Sequence, residues 1–418
     1  MGHPVNACII TIGDELLIGQ VIDTNSAFIA QQLNSIGVWV KRRISVGDNA
    51  EDIRHALDDA SGWADIVLIT GGLGPTADDI TKPFLCSYFG GTMIVDENVM
   101  THNRHLFENV FKRPFTERNE KQAEVPDVCT VIENPRGTAP GMLFEKNDVI
   151  FISMPGVPHE MKGMMTQSVL PLLQQRFQQT SIEHRTLLTA GIGESFLADH
   201  IMHWENQLPP SLKLAYLPNY GMVRLRLTRV ERSSGSEEIQ QHFDALQKLV
   251  QPWLVTNEDK TMPQVVSDLL NQHGRTLSTA ESCTGGYISS LLTRLAGASS
   301  FFQGGVISYS NDVKQSLLRV QAHTLESAGA VSEDTVIQMA HGALDELHTD
   351  YALAISGIMG PSGGSESKPV GLVWVAAASR QRTTTQQFNF RFDRERNIEM
   401  AAINALNVLR KFIIETES

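Results

Sequence analysis

The sequence predicts an α/β protein in three successive segments, and three observations carry that prediction. Short apolar runs of strand length alternate with amphipathic stretches of helix length over most of the chain. Most of these runs end in a Gly- or Asp-bearing turn. The 418 residues exceed one ordinary core, given about 100–200 residues per domain. A hydrophobic content of 42% with 19% charged residues is that of a globular chain and excludes wholesale disorder.

The first segment, residues 1–180, opens with an apolar strand at Val5–Thr11, a helix around Ser26–Ile36 and a buried strand at Asp65–Thr70. The run Asn147–Met154 ahead of Pro155 to Pro158 repeats the strand-then-loop signal. This pattern makes a mostly parallel sheet covered by helices, with ligands at the carboxyl ends of the strands. In residues 181–256 the texture changes. Val223, Leu225 and Leu227 alternate with Arg224, Arg226 and Thr228, a half-exposed strand at Met222–Val230. A polar run, Arg232–Glu238, then leads into an amphipathic helix carrying Ile239, Phe243, Leu246 and Leu249, with Ser236 as its N-cap candidate. The segment therefore reads as a small α+β module. Residues 257–418 begin a further α/β segment with a helix through Val265–Leu270.

Composition narrows the function classes. The four cysteines, Cys8, Cys86, Cys129 and Cys283, are scattered and form no CxxC pair, which gives little support to a zinc site or a disulfide framework and fits a reducing cytoplasm. No long apolar run points to a membrane. A net charge of −13 opposes sequence-independent binding to nucleic acid, which requires a basic face. Small-molecule chemistry is the expectation.

The most informative stretch is Thr276–Gly286, a short strand followed by Glu281, Ser282, Cys283, Thr284, Gly285 and Gly286 and then a helix. Ser282 sits at the strand-to-helix turn, where free amides at the helix start can hold an oxyanion or a phosphate. Ser282 or Thr284 can equally serve as a cap for that helix, and the stretch alone leaves both readings open. A hydroxyl needs a base to act as a nucleophile. Residues 308–314 supply one: a strand ends, Asn311 is placed to cap a new helix, and Tyr309 and Lys314 fall at the mouth of the sheet. A desolvated lysine there has its pKa lowered toward that of a base; a solvated Lys314 and a packed Tyr309 are the alternative. A third loop, Ser356 and Gly357 through Gly364, ends the strand Tyr351–Ile355 with closely spaced glycines. Arg394 and Arg396, ahead of a last helix, are phosphate-binding candidates. Cys283 is the rival nucleophile.

The first segment has its own candidate site. Gly71, Gly72, Gly74 and Thr76 form a phosphate-holding loop after a strand, and Asp78 and Asp79 supply hard oxygen ligands for a divalent ion. Asp14, Glu15 and Asp23 are further metal or base candidates, and Asn25 a binding one. Asp78 and Asp79 can instead complement the following helix dipole. Residues 134–138, from Asn134 to Thr138, either close over the ligand or make a simple turn.

Five ordered motifs, AESCTGG at 280–286, GASSFF at 297–302, SYSNDVK at 308–314, SGIMGP at 356–361 and KPVG at 368–371, resemble the C-terminal nicotinamide mononucleotide (NMN) deamidase domain of the CinA family. The resemblance implies hydrolysis of the NMN carboxamide to nicotinate mononucleotide and ammonia, without a metal or other cofactor. It implies a catalytic Ser282, with Tyr309 and Lys314 matching its partners. Thr284, Gly285, Gly286, Ser299, Ser356, Gly357 and Arg396 are taken as pocket positions. Ser356 stands where many relatives have threonine, which keeps the hydroxyl. The N-terminal motifs resemble the molybdopterin-binding-like domain of full-length CinA proteins, associated with hydrolysis of ADP-ribose to AMP and ribose 5-phosphate using a divalent metal (Mg, Mn or Co). The middle segment resembles the family's KH-like domain, without the GxxG clamp that nucleic-acid binding needs. The family also suggests a homodimer. Two alternatives are a deamidase whose N-terminal domain is a nucleotide- or pterin-binding module, and a non-enzymatic interaction protein in competence or DNA damage response.

Overall fold

The computed structural model describes residues 5–76, 79–177, 182–230 and 236–418. The first apolar run forms β1 (Asn6–Ile12), followed by β2 (Trp39–Val46) and β3 (Ile66–Thr70). Two short strands, β4 (Met93–Val95) and β5 (Glu124–Pro126), make a separate ribbon. The main sheet is completed by β6 (Thr130–Ile132), β7 (Gly141–Lys146) and β8 (Val149–Met154), in the order β2-β1-β3-β8-β7-β6. Its first four strands are parallel; at one edge β7 pairs antiparallel with β8 and β6 antiparallel with β7.

Side chains of β1 alternate between two cores, as strand geometry requires. Ala7 and Ile9 pack with Ile29 and Leu33 of the helix Thr24–Ser35, whereas Cys8 and Ile10 pack with Ile53 and Leu57 of the helix Ala50–Ser61. Helices therefore cover both faces, a three-layer arrangement that leaves the carboxyl ends of β1, β3 and β8 open for loops. The helix expected from Ser26 starts two residues earlier because Asp23 accepts the Ser26 amide at 2.9 Å.

The chain divides into two compact units, Met1–Ile182 and Glu183–Ser418. The second unit begins with an antiparallel sheet of β9 (His184–Ala190), β10 (Leu212–Asn219), β11 (Met222–Arg229) and β12 (Leu254–Thr256). Helices Glu194–Glu205 and Ser236–Leu249 cover it through Leu197, Ile201, Ile239, Phe243 and Leu246. The side chain of Ser236, the cap candidate, lies outside the described residues. A five-stranded sheet follows in the order β14-β13-β15-β16-β17, from β13 (Leu277–Glu281), β14 (Phe302–Ile307), β15 (Tyr351–Gly357), β16 (Leu372–Ser379) and β17 (Thr383–Asn389). The first three are parallel. Helices Met262–His273, Tyr287–Thr293 and Arg394–Glu417 lie on one face and Glu333–Leu347 on the other. Leu188, Ala190 and Met222 of the small sheet join the core of the larger one, so the two modules of this unit share apolar packing. Among the described residues no helix is long and apolar enough to cross a membrane.

Candidate active site

Ser282 follows β13 directly, and its amide still donates to Ile355 O of β15 at 3.0 Å. The chain then turns sharply through Gly285 and Gly286, whose φ values of +60° and +96° lie where glycine is favoured. The fully buried carboxylate of Glu281 organises this turn. It accepts hydrogen bonds from Thr284 Oγ1 at 2.7 Å and from the amides of Gly286, Ile288 and Ser289 at 3.1, 3.0 and 2.8 Å. Ser289 Oγ adds another at 2.6 Å. The amides of Gly285 and Tyr287 donate to Ser282 O and Thr284 O. The amides from 285 to 289 are therefore all committed within the protein, which corrects the expectation of free donors for an oxyanion at the helix start. Neither Ser282 nor Thr284 caps the helix; Glu281 does, and the Ser282 hydroxyl is released for other work.

Lys314 enters from the neighbouring strand. After β14 the Ser308 amide donates to Glu281 O at 2.8 Å, and the helix Asn311–Ser316 begins. Its cap is Ser310, whose Oγ accepts the Val313 amide at 3.3 Å, rather than the expected Asn311. Lys314 is 1% exposed, with Nζ 2.9 Å from Ser282 Oγ, 2.6 Å from Ser308 O and 3.3 Å from Tyr309 O. Burial pushes its pKa below the ordinary lysine value, against a smaller opposing influence from Cys283. Nζ thus donates to three oxygens, one of them the Ser282 hydroxyl; loss of one proton would leave two N–H groups for the carbonyls and a lone pair for that hydroxyl.

Tyr309 is mostly exposed, and its hydroxyl accepts from Arg394 Nη2 at 3.2 Å. Arg394 Nη1 donates to Gly360 O at 2.7 Å, tying the third loop to the same mouth. Ser356, 1% exposed, donates to Ala330 O at 2.7 Å. Gly357 makes room for Cys283: a Cβ at 357 would fall 3.2 Å from its sulfur and 2.7 Å from Val373. The Cys283 thiol is buried, and burial pushes its pKa up to about 12, which leaves it protonated and unreactive near neutral pH.

The carboxyl ends of β13, β14 and β15 thus gather Ser282, Thr284, Gly285, Gly286, Tyr309, Lys314, Ser356 and Gly357. Two expected pocket residues lie elsewhere. Ser299 precedes β14, and β14 pairs in parallel register from Leu277↔Phe302 to Glu281↔Ile307, so Ser299 and Ser282 occupy opposite ends of that strand pair. At roughly 3.3 Å per residue the strand alone spans about 16 Å. Arg396 stacks over the Phe392 ring at 4.4 Å and lines a cleft with Tyr220 and Glu399, while Arg394, two residues earlier, reaches Tyr309. Sequence reasoning missed Glu281 altogether; a carboxylate just before a Gly-Gly turn and a helix was the available signal.

In the first unit, Gly71, Gly72, Gly74, Glu15, Asp48, Asp79, Gln122, Thr138 and Glu160 line a cleft of roughly 380 Å³. Gly71, at φ +116°, approaches so closely that a Cβ would fall 2.0 Å from Ile12 O. Asp79 closes the loop by accepting from the amides of Gly74 and Thr76, at 2.8 and 2.9 Å, and from the Thr76 hydroxyl. Asp78 lies outside the described residues. Asp14 and Asp48 each accept the other's amide, at 3.2 Å. Burial, with repulsion from Asp14, Glu15 and Asp79, raises the Asp48 carboxyl above its ordinary pKa. Burial raises that of Glu160 despite a hydrogen bond from Asn134. Asp23 is the helix cap already described and lines an adjoining hollow with Asn25, whose Nδ2 donates to Gly156 O at 2.7 Å. Asp48 was not anticipated, since no local pattern joins it to the glycine loop, whereas Glu160 falls in the 154–161 run that follows β8 as a candidate stretch. Among the described residues no three His, Cys, Asp or Glu side chains converge as a preformed metal cage.

Residues 8–175 match the family described as a probable molybdopterin binding domain, 184–255 the damage-inducible protein CinA KH domain, and 259–413 the CinA C-terminal domain. A CinA-like protein of Cytophaga hutchinsonii is 42% identical over 423 residues, spanning 100% of both chains. One of Flavobacterium psychrophilum is 42% identical over 417 residues, 99% of this chain and 100% of its own. Among solved structures, the competence/damage inducible protein CihA from Agrobacterium tumefaciens shares 39% identity over 35% of this chain and 90% of its own, with a TM-score of 0.34.

Proposed function

The chain belongs to the CinA-like protein family, and from that premise we propose that its C-terminal module is an amidohydrolase acting on the carboxamide of NMN. The observation that carries this reading is the 2.9 Å contact between Lys314 Nζ and Ser282 Oγ at a buried lysine whose other partners are carbonyl oxygens. Ser282 Oγ attacks the carboxamide carbon while its proton passes to Lys314 Nζ. Collapse of the tetrahedral adduct expels ammonia, with that proton returned to the leaving nitrogen. Water, deprotonated by the same amine, then cleaves the acyl-Ser282 ester to give nicotinate mononucleotide and restore the hydroxyl. Tyr309 and Arg394, at the rim, are the groups that meet the substrate. The test is ammonia release from NMN by the full chain beside Lys314→Met. Release by the wild type and its loss in the variant are expected; a folded wild type that releases none ends the reading.

For the N-terminal unit the proposed activity is hydrolysis of ADP-ribose to AMP and ribose 5-phosphate with a divalent ion. The grouping of carboxylates favours it: Glu15, Asp48 and Asp79 line one glycine-lined cleft, a donor set suited to an ion held partly by substrate phosphates rather than by a protein cage. When bound, such an ion polarises a phosphoryl oxygen. The chain's own part is to orient the phosphates on the 71–76 loop, whose shape Asp79 maintains. Asp79→Asn is expected to lower metal-dependent ADP-ribose turnover by about 100-fold, a step of the size general acid–base and positioning groups carry. Turnover without metal, or unchanged in the variant, removes this reading.

A further inference from the structure

The hairpin that joins β10 to β11 is used by none of the chemistry above. Asn219 pairs with Met222, so the loop is Tyr220 and Gly221 alone, and their φ values of +47° and +75° make it a type I′ turn. Asn-Gly is the favoured pair for such a turn, because a bulky side chain in the left-handed region is strained. A tyrosine at its first position therefore answers to something other than the turn.

Its partner is the last helix. The Tyr220 ring packs against the apolar core of the C-terminal module, and the Glu399 carboxylate accepts a hydrogen bond from its hydroxyl, which raises the pKa of the phenol. Gly221 lies against the next turns of the same helix: a Cβ there would fall 3.2 Å from Met400 Cε and 3.3 Å from Asn404 Nδ2. The hairpin thus docks on residues 399–404 of the helix Arg394–Glu417. The first turn of that helix holds the rim of the serine–lysine site. Arg394 ties Tyr309 and Gly360, and the fully buried Asn397 donates from Nδ2 to Met359 O at 3.0 Å and to Phe392 O at 2.9 Å. Arg394 and Glu399 are separated by only about 7.5 Å along the helix axis, a length over which a helix moves as one body.

We propose, on the reading of the C-terminal module as an amidohydrolase, that Tyr220 is a positioning residue for its site: docking of the β10–β11 hairpin fixes the last helix, and the helix sets where Arg394 and Asn397 hold the rim at 359–360. The middle module, which lacks a nucleic-acid clamp, serves as a brace for the deamidase rim.

The test uses Tyr220→Asn in the full chain, which installs the favoured Asn-Gly turn and so keeps the hairpin while removing the ring and hydroxyl that dock. KM for NMN is expected to rise about fivefold or more with kcat within about twofold, since a rim group binds substrate before the chemical step. In an Arg394→Ala background the same substitution is expected to add less than about twofold, because the effect runs through Arg394. Glu399→Ala removes the contact from the helix side, is expected to give the same shifts and stands in if the hairpin variant fails to fold. A KM within about twofold of wild type in a folded variant, or an equal change in both backgrounds, overturns the assignment. Hydrogen exchange of the 356–361 segment, followed by mass spectrometry on the same proteins, reads the positioning without turnover and is expected to quicken about threefold or more in Tyr220→Asn. Unchanged exchange overturns the assignment whatever the rates. Quickened exchange with no ammonia from the wild type removes the amidohydrolase and keeps the positioning, whereas ammonia release with KM and exchange both unchanged does the reverse.

Discussion

Each unit buries a lysine close to the loop that carries its candidate chemistry, and the two lysines are employed differently. Lys82, 7% exposed, donates to Gln122 O at 2.9 Å, and burial lowers its pKa to about 8. Lys314 donates to two carbonyls and also meets the Ser282 hydroxyl. Desolvation alone therefore does not make a catalytic base. What distinguishes Lys314 is a hydroxyl within hydrogen-bond reach of its Nζ, held there by a strand-to-helix turn that Glu281 fixes from inside. Lys82 braces the peptide at Gln122, whose side chain lines the glycine-lined cleft.

The largest difference between the two lysines lies at the hydroxyl that Lys314 meets. Ser282→Ala is expected to reduce ammonia release from NMN by about 1,000-fold or more, as removal of an activated nucleophile does, with the fold intact by circular dichroism. A drop of less than about tenfold would make Ser282 a water-positioning group. Next comes the rim: Tyr309→Phe removes the hydroxyl that accepts from Arg394 and is expected to cost about tenfold in kcat/KM, read in the same assay.

The bracing lysine is tested through stability rather than rate. The Lys82 pKa of about 8 lies below the ordinary 10.5, so between these values the unfolded chain binds more protons than the folded one. Stability contributed by this group is thus present at high pH and falls as pH drops from 10.5 to about 8, by about 3 kcal/mol in all. Lys82→Met is expected to flatten that slope in urea midpoints measured across the window, and an unchanged slope would remove the assignment. The smallest effect is at the thiol that follows Ser282 in the chain. Cys283→Ser should change the rate by less than about threefold, since a thiol held protonated and buried contributes no nucleophile.

Much of this was legible in the sequence, for definable reasons. The apolar run before Ser282 formed β13, the alternation of Val223, Leu225 and Leu227 formed a strand with those three buried, and Tyr309 and Lys314 arrived at the carboxyl end of β14, because hydrophobic period and turn residues are local signals. Glu281 was not legible as a cap, since its five hydrogen bonds exist only once the Gly285–Gly286 turn folds the chain back over it. Arg394 and Arg396 look equivalent in a string, yet two residues on a helix differ by about 200° in direction, and only one reaches Tyr309. Ser299 was misplaced because a motif gives order along the chain, not which end of a strand it occupies. Asp48 meets the glycine-lined cleft through tertiary packing alone, with no periodic or motif signal nearby.

The most direct test of the Ser282–Lys314 pairing is the pH dependence of kcat/KM for ammonia release from NMN, with Lys314→Gln as the comparison. The amine must lose its proton to accept that of Ser282, and its pKa is lowered by burial. The predicted profile rises with pH through one deprotonation below the ordinary lysine range, and in Lys314→Gln that limb disappears along with about 100-fold or more of the rate. A rising limb that persists unchanged in Lys314→Gln would contradict the account.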